Sequence, residues 1–355
     1  MFSDLTGFQK PIRSNNNFIP FQKQLAEIKS NFMKTLFTFA LLFLFFVSMA
    51  QKQKIIFDCD LGGDIDDAFA VSLLLTSQNE FDIMGFCMDH GNTAGRGSVA
   101  CKMLYETGFE KIPVYLGRNT TAVVAGKTET SNSEAQFLWS VGFDQLKPQK
   151  QSAVDFMTES LNNYPGEIIL FTVGPVDNIG EMLDKDPTIL KKAKKVVSMF
   201  GSVKVGYGGN APCPEYNVYA NIEASKKLMN SGANLFLAPL DVTDHVIVTD
   251  KYLQAIAMRQ TPLTDAISAL YSLWYHQADW ATTPKMFDGV AVGMALWPEL
   301  VETVPAFIYI DEKGNTLIDA NKAPNCVYGT KIKSDEFLEK MCRRILMQNF
   351  RRPIN

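Results

Sequence analysis

The chain has 355 residues, of which 46% are hydrophobic and 20% charged, and its formal net charge at pH 7 is −4. This length and hydrophobic content are sufficient for one large domain or two small ones, each with a buried core. Lysine and arginine are interspersed with the acids, so no basic surface of the kind that binds nucleic acids is expected.

An export signal is indicated within the first 50 residues, at residues 33–50. Residues 33–50 start with a methionine and a lysine, continue with an apolar core and end in small residues around Ala50, the order found in signal peptides. The apolar core is shorter than the ~20 residues of a membrane span, although an uncleaved anchor remains an alternative. We therefore expect an exported, periplasmic or secreted protein without a stable membrane anchor after cleavage. Because a signal peptide normally begins at the initiator methionine, residues 1–32 are predicted to be a disordered upstream extension, foreign to the native protein.

Strand and helix patterns alternate from residue 52 to residue 349 without a repeat or a Pro-rich linker. Short apolar runs predict strands at 55–57, 81–88, 113–116, 166–172, 196–200 and 234–238. Helical patterns lie between them, so we predict a single α/β domain with a mostly parallel central sheet flanked by helices on both faces. Residues 306–310 and 316–318 flank a turn sequence and predict a small β-hairpin near the C-terminus. Residues 118–150 show little periodicity and predict a long loop.

The six cysteines show no spacing typical of a zinc site. Cys59 and Cys87 lie in strand-like runs and are interpreted as small buried hydrophobic residues. Export would permit disulfides, and the sequence leaves their pairing open.

The first predicted strand leads into a dense group of acids. Five aspartates fall within ten residues, with two glycines among them: Asp58, Asp60, Asp64, Asp66 and Asp67. Open α/β sheets place their ligands at the carboxyl ends of strands, and several like charges in one turn are unfavourable without a cation. Ligands that are all oxygen atoms suit a hard divalent ion such as Ca²⁺ or Mg²⁺. The alternative is that Asp64, Asp66 and Asp67 only cap the helix that begins there.

Two later segments place polar groups at predicted strand ends. Asn92, in a Gly-Asn pair, follows the second strand, where it would either bind a ligand hydroxyl or form a turn. In Phe171–Ile179 a strand ends in Gly-Pro and a helix starts at once, which leaves carbonyls near Val173 without regular pairing. Asp177 is predicted to be the N-cap of that helix.

A Gly/Pro-rich loop and a lone acid follow. The loop, residues 208–221, carries Asn210, Glu215 and Asn217. Amide and acid groups so placed suit a polyhydroxylated ring, although the same residue types are common in ordinary turns. Asp288 precedes an apolar helix, where it would either bind a ligand or act as the N-cap.

Four segments between residue 54 and about residue 300 resemble, in the same order, those of the inosine–uridine-preferring nucleoside hydrolase family. The acidic run resembles the family's DxDxxxDD signature, with two more residues between Asp60 and the Asp66-Asp67 pair, as in a divergent branch. The other three are similar to the family's GPLTN, Ala-Glu-Phe-Asn and HDPLAVA segments and lie at 171–179, 208–221 and 286–292. Gly91-Asn92 resembles the Gly-Asn that follows the family's second strand.

The resemblance implies Ca²⁺-dependent hydrolysis of the N-glycosidic bond of ribonucleosides, which releases ribose and a free base. It implies a calcium site made by Asp60, Asp67, Asp288 and the main-chain oxygen of Val173. Asp60 would also act as the general base. The ribose hydroxyls would be bound by Asp66, Asn92, Asn210, Glu215 and Asn217. The partner is then a small nucleoside substrate, and we expect the enzyme to be a homo-oligomer.

The chain departs from the family pattern at Phe287, where the family has a histidine that protonates the leaving base. Aromatic stacking could assist departure of the base instead, and the sequence does not choose among Phe287, Trp274 and Trp280. The chain's three histidines lie in no motif that marks them as catalytic: His90, His245 and His276.

Two other interpretations stay open. A periplasmic protein that binds nucleosides or ribosyl groups without turnover would need the same site, and the missing histidine is consistent with it. A haloacid dehalogenase-like phosphatase also places Asp-x-Asp after a strand, but Leu61-Gly-Gly-Asp64 fits that family poorly.

Overall fold

The computed structural model describes residues 29–38, 52–120, 123–124, 127–128, 131–277 and 283–352. The chain divides into two compact units, Met1–Gln51 and Lys52–Asn355. In the first unit, residues 29–38 are helical with exposed side chains. The rest of the predicted extension (1–32) and signal peptide (33–50) lies outside the described residues, and both stay predictions. No described helix is long and apolar enough to cross a membrane.

The second unit is built on an eight-stranded sheet. Its strands are β1 (Gln53–Cys59), β2 (Phe81–Met88), β3 (Val114–Leu116), β6 (Ile169–Thr172), β7 (Lys195–Met199), β8 (Leu235–Ala238), β9 (Val301–Ala306) and β12 (Cys326–Ile332). Their order is β3-β2-β1-β6-β7-β8-β12-β9, and the pairs are parallel except that β9 lies antiparallel to β12 at one edge. The predicted mostly parallel sheet is confirmed.

Two antiparallel pairs stand apart from this sheet: β4 (Val123–Val124) with β5 (Lys127–Thr128), and β10 (Ile308–Ile310) with β11 (Thr316–Ile318). The second pair is the hairpin predicted near the C-terminus. Asp311, in its turn, accepts hydrogen bonds from the backbone N–H groups of Lys313 and Asn315, which explains why this sequence closes a turn.

Helices cover both faces of the sheet. They are α1 (Asp66–Leu75), α2 (Thr93–Thr107), α3 (Ala153–Asn163), α4 (Asp177–Lys185), α5 (Tyr216–Ala220), α6 (Ile222–Asn230), α7 (Leu240–Thr243), α8 (Asp250–Arg259), α9 (Pro262–Gln277), α10 (Phe287–Leu296) and α11 (Ser334–Met347). Successive β1 residues serve opposite faces: Ile55 and Phe57 pack with α1, α2 and α10, whereas Ile56 packs with α3, α4 and α6. Burial on both faces explains the continuous apolar run of this strand.

The structure departs from the predicted elements in two places. The loop predicted at 118–150 contains β4, β5 and a 3-10 helix, Ser131–Ser140. Strands β9 and β12 were not indicated by the sequence, because β9 is an edge strand with an exposed middle and lacks a buried apolar run. All six cysteines are free thiols, and five of them are buried, including Cys59 and Cys87 as expected.

Candidate active site

A cavity of about 360 Å³ opens at the carboxyl ends of β1, β6 and β7. This is the edge of the sheet at which open α/β folds bind ligands. Among the described residues the lining is Asp60, Gly63, Asp64, Asp66, Asp67, Arg96, Val173, Met199, Tyr207, Glu215, Tyr216, Asn217, Phe287 and Asp288. Eight of the ten residues predicted from the sequence to bind metal or substrate are in this set, which leaves out only Asn92 and Asn210.

Three buried carboxylates form a potential metal site in this cavity. Asp66 and Asp67 are the first two residues of α1, and Asp288 is the second residue of α10. One oxygen from each lies within 4.8 Å of the other two. The Asp288 N–H donates a hydrogen bond of 3.0 Å to Asp66 Oδ2 and so joins the two helix N-termini. The family resemblance implies that Asp66 binds the sugar and that Asp60 binds the metal. The observed carboxylate cluster contains Asp66 and not Asp60.

Three ionised carboxylates this close together are unfavourable unless a cation or protons neutralise them. Burial raises the pKa of Asp66, Asp67 and Asp288 well above the ordinary range, and repulsion from neighbouring carboxylates adds to it. Asp67 Oδ1 is buried and has no hydrogen-bond partner within the described part of the chain. The opposing positive charge of Arg96 offsets only part of this effect on Asp67. A buried oxygen cluster of this composition fits a hard divalent cation.

The alternative that these aspartates are helix caps is wrong for three of them. The N-cap residues of α1 and α10 are Ile65 and Met286, and neither cap carries a side-chain hydrogen bond within the described residues. Asp66, Asp67 and Asp288 lie inside the helices and turn into the cavity. The Asp64 side chain makes a local bond, in which its Oδ1 accepts from the Ile65 N–H at 2.6 Å. Burial of this carboxylate raises its pKa to about 7.

Asp60 is held by an arginine that was not predicted. The Arg96 guanidinium donates from Nη1 to the Asp60 carbonyl, and its Nη2 lies 3.7 Å from Asp60 Oδ2. Arg96 is 4% exposed and also donates from Nε to the His90 carbonyl at 2.7 Å. The signal was present in the sequence, because Arg96 shares the buried face of α2 with Val99 and Ala100, and a buried arginine requires acidic or carbonyl partners.

The opposite part of the cavity is lined by Glu215, Asn217 and the Val173 carbonyl. Glu215 is the N-cap of α5 and accepts hydrogen bonds from the N–H groups of Asn217 and Gly201, both at 2.9 Å. Burial raises the pKa of Glu215, and these hydrogen bonds oppose the shift. Asn217 Nδ2 donates to the Val173 oxygen at 2.6 Å. A predicted sugar-binding group and a predicted metal ligand therefore touch each other.

Two predicted site residues have other contacts. Asn92 is the N-cap of α2, and its Oδ1 accepts from the Gly95 N–H at 3.0 Å. Asn210 is exposed and donates from Nδ2 to the Tyr207 carbonyl at 2.7 Å. Their contact with a sugar stays a prediction.

Aromatic residues form the remaining side of the cavity. Phe287 packs edge-on against Tyr207 with ring centroids 6.1 Å apart. The Tyr207–Gly209 turn is anchored by Asp244, whose carboxylate accepts from the N–H groups of Gly208 and Gly209 at 3.0 and 3.1 Å. Of the other proposed stacking residues, Trp274 is buried in the hydrophobic core, and Trp280 lies outside the described residues.

The prediction that Asp177 is a helix N-cap is wrong. The N-cap of α4 is Val176, and the Asp177 carboxylate instead pairs with His90, its Oδ2 lying 2.8 Å from Nδ1. The other ring nitrogen of His90, Nε2, lies 3.4 Å from the hydroxyl of Tyr216, which lines the cavity. The sequence did not indicate this contact, because 126 positions separate Tyr216 from His90.

The fold and site together define a class: an α/β protein with a buried carboxylate cluster that could hold a cation, beside polar groups that can hold a polyhydroxylated ligand. Residues 55–339 match the family model described as inosine-uridine preferring nucleoside hydrolase. The chain belongs to this family, whose members hydrolyse the N-glycosidic bond of ribonucleosides.

Several known proteins are similar to this chain. An uncharacterized protein of Schizosaccharomyces pombe is 31% identical over 232 residues, which cover 62% of this chain and 71% of that protein. The pyrimidine-specific ribonucleoside hydrolase RihA of Citrobacter koseri is 25% identical over 82% of this chain and 97% of its own length. The solved structure of a purine-preferring ribonucleoside hydrolase from Gardnerella vaginalis matches with a TM-score of 0.72 at 24% identity, over 83% of this chain and 98% of that one. This structural likeness supports the fold.

Proposed function

We propose that this enzyme is a Ca²⁺-dependent ribonucleoside hydrolase. The observation that carries the proposal is the buried cluster of Asp66, Asp67 and Asp288 in a cavity that also presents Asp60 and Glu215. Its volume, about 360 Å³, is within the range of small-molecule sites, about 300–1,000 Å³.

Asp67 and Asp288 belong both to the ligand set implied by the family and to the observed cluster, so they form the core of the proposed calcium site. Asp66, Asp60 and the Val173 oxygen line the same cavity and supply further oxygen atoms. When bound, Ca²⁺ would lower the pKa of the attacking water and orient it.

The side chains divide the remaining work. Asp60, oriented by Arg96, accepts a proton from the water as general base. Glu215 and Asn217 bind ribose hydroxyls while the ribosyl ring develops oxocarbenium character. Because Glu215 is fixed by backbone N–H groups, its carboxylate is positioned before the substrate arrives.

The relatives do not define the base that is preferred. One relative is named pyrimidine-specific and one structural neighbour purine-preferring, so we propose ribonucleosides as the substrate class and no single base. We further propose export, on the strength of residues 33–50, and a homo-oligomer. Cell fractionation and light scattering of the purified protein would test these two points.

The direct test is release of free ribose from inosine and uridine by protein purified without chelator. We expect multiple turnovers, loss of activity in EDTA and recovery with CaCl₂, together with one calcium per chain by metal analysis. Binding of nucleosides without ribose release would favour the non-catalytic alternative. Stoichiometric zinc, or activity that is indifferent to EDTA, would contradict the calcium site.

A further inference from the structure

We propose that Tyr216, His90 and Asp177 form a proton relay that protonates the departing base, a role that rests on the proposed hydrolysis of ribonucleosides. A proton donor other than residue 287 is needed, because the side chain of Phe287 has no proton to give. Two of the described residues that line the cavity carry a hydroxyl group, Tyr207 and Tyr216. The Tyr207 hydroxyl lies 3.4 Å from Glu215 Oε1, whereas the Tyr216 hydroxyl lies 3.4 Å from Nε2 of His90. Only the second of these contacts joins a hydroxyl to a histidine, a side chain that can resupply a proton.

The backbone holds His90 in an unusual conformation. Its φ is +56°, in the left-handed region that non-glycine residues rarely adopt. Two contacts fix it there: its N–H donates to Asp89 Oδ1 at 2.9 Å, and its carbonyl accepts from Arg96 Nε at 2.7 Å. Strained residues of this kind cluster at functional sites, and Arg96 is the same side chain that orients Asp60.

The orientation of the His90 ring is also fixed, by its pair with Asp177. It is 2% exposed, and Nδ1 lies 2.8 Å from Asp177 Oδ2. Asp177 also accepts hydrogen bonds from Asn221 Nδ2 and from Thr120 Oγ1. Burial opposes the charged form of Asp177, but the bonds from His90, Asn221 and Thr120 prevail and lower its pKa. An ionised Asp177 orients the imidazole so that Nδ1–H donates to it and Nε2 faces Tyr216.

Tyr216 completes the chain of contacts. Its hydroxyl lies 3.4 Å from His90 Nε2, and the two rings meet edge-on at 88°. Tyr216 belongs to α5, between Glu215 and Asn217, the two residues proposed to bind the ribose hydroxyls. Because Tyr216 also lines the cavity, the proposal places the base of a bound nucleoside beside its hydroxyl.

The N-glycosidic bond breaks, and its electron pair moves to the ring nitrogen of the base. Tyr216 gives its hydroxyl proton to the base and takes the Nε2 proton of the His90 imidazolium, which Asp177 stabilises. The oxygen of the attacking water bonds to C1′ of ribose and keeps one proton, and the other proton of the water goes to Asp60. Proton exchange with solvent then returns a proton to His90 and removes one from Asp60.

The test compares two substrates that differ in their need for a proton. Inosine requires protonation of its base, whereas p-nitrophenyl riboside has a leaving group that departs as an anion. For Tyr216→Phe we expect kcat on inosine to fall by about 10²–10⁴-fold, with activity on p-nitrophenyl riboside within about threefold of wild type. Tyr219→Phe is the matched control, because Tyr219 lies on the same helix outside the cavity lining; it should leave both activities unchanged.

A second variant protects the conclusion against misfolding. His90→Gln keeps a polar side chain and should show the same split between the two substrates, with circular dichroism confirming the fold. Equal losses on both substrates, or a change confined to KM, would overturn the relay and leave a binding or structural role. Wild-type protein that cleaves neither substrate would instead refute the proposed function, and the relay with it.

Discussion

Gly174→Ala should displace the proposed catalytic base without touching its carboxyl chemistry. Gly174 follows Val173 at the end of β6, directly beside Asp60. A Cβ at this position would lie 2.9 Å from Asp60 Oδ1, 3.0 Å from Asp60 Cβ and 3.1 Å from the Asp60 backbone nitrogen. Because one of these atoms belongs to the backbone, a rotamer change of Asp60 cannot relieve the overlap. The ends of β1 and β6 must therefore move apart, which changes the position of Asp60 relative to the Val173 oxygen.

The expected size of the effect follows from the overlap. Restoring ordinary contact requires a shift of roughly 0.3–0.5 Å, and since a misplacement of ~1 Å can lower a rate by about 10²-fold, kcat/KM should fall by about tenfold. Overpacking of this kind also destabilises the fold by about 1–3 kcal/mol. The assay is steady-state cleavage of inosine together with a thermal melt in excess CaCl₂.

Gly289→Ala provides the matched control. A Cβ at this position, in the first turn of α10, would meet Met286 Cβ and Met341 Sδ at 3.6 Å, which is ordinary contact. Alanine is at least as favourable as glycine within a helix. This variant should keep full activity and melt no lower than wild type. If Gly174→Ala retained wild-type kcat/KM, then either the position of Asp60 is unimportant for catalysis or the β1 end is far more compliant than its packing indicates.

Three further outcomes test the site. Asp60→Asn should lower turnover by at least about 10²-fold through loss of the base, whereas Asp64→Asn should have a much smaller effect; the reverse order would mean that the roles in the longer loop are misassigned. A 2′-deoxyribonucleoside should be cleaved with kcat/KM lower by about 10²-fold or more, because buried polar groups lose their partner; equal rates on both sugars would contradict recognition of the diol. In EDTA, the melting temperature should fall as pH rises from about 4 towards 7. Asp66, Asp67 and Asp288 have a raised pKa in the folded state. In this pH range the native state therefore holds protons that the unfolded chain releases. Calcium should abolish this trend, and a trend that persists unchanged with calcium would mean that the ion binds elsewhere.

Sequence patterns predicted best those elements whose signals lie within the element itself. The strand predicted at 81–88 has the same bounds in the structure, because the apolar residues that predict it lie within the strand itself. Sequence patterns failed for β9, whose exposed middle residues offer no apolar run. Edge strands are defined by the neighbour with which they pair, and that neighbour, β12, comes later in the chain.

The residues of the site could be grouped from the sequence only through their resemblance to a family pattern. Asp67 and Asp288 are far apart in the chain, and no periodicity joins them; the resemblance did, and the structure places their oxygens together. The assignment of Asp177 failed for the opposite reason. An aspartate at a helix start favours an N-cap locally. In the structure the Asp177 carboxylate instead pairs with the buried ring of His90, a residue that follows β2 in the chain.

The two residues added to the acidic loop have a structural partner in the segment that lacked periodicity. Lengthening the loop introduces extra peptide groups, and buried carbonyls require hydrogen-bond donors. Gln136, in the 3-10 helix that follows β5, donates from Nε2 to the carbonyls of Gly63 and Asp64 at 2.9 and 2.8 Å. The next residue, Phe137, fills the space beside Gly62, where φ is +103° and a Cβ would lie 2.5 Å from the ring. The acidic loop and the 131–140 segment therefore pack against each other through Gln136 and Phe137. Contacts of this kind join individual residues and leave no periodic pattern in the sequence.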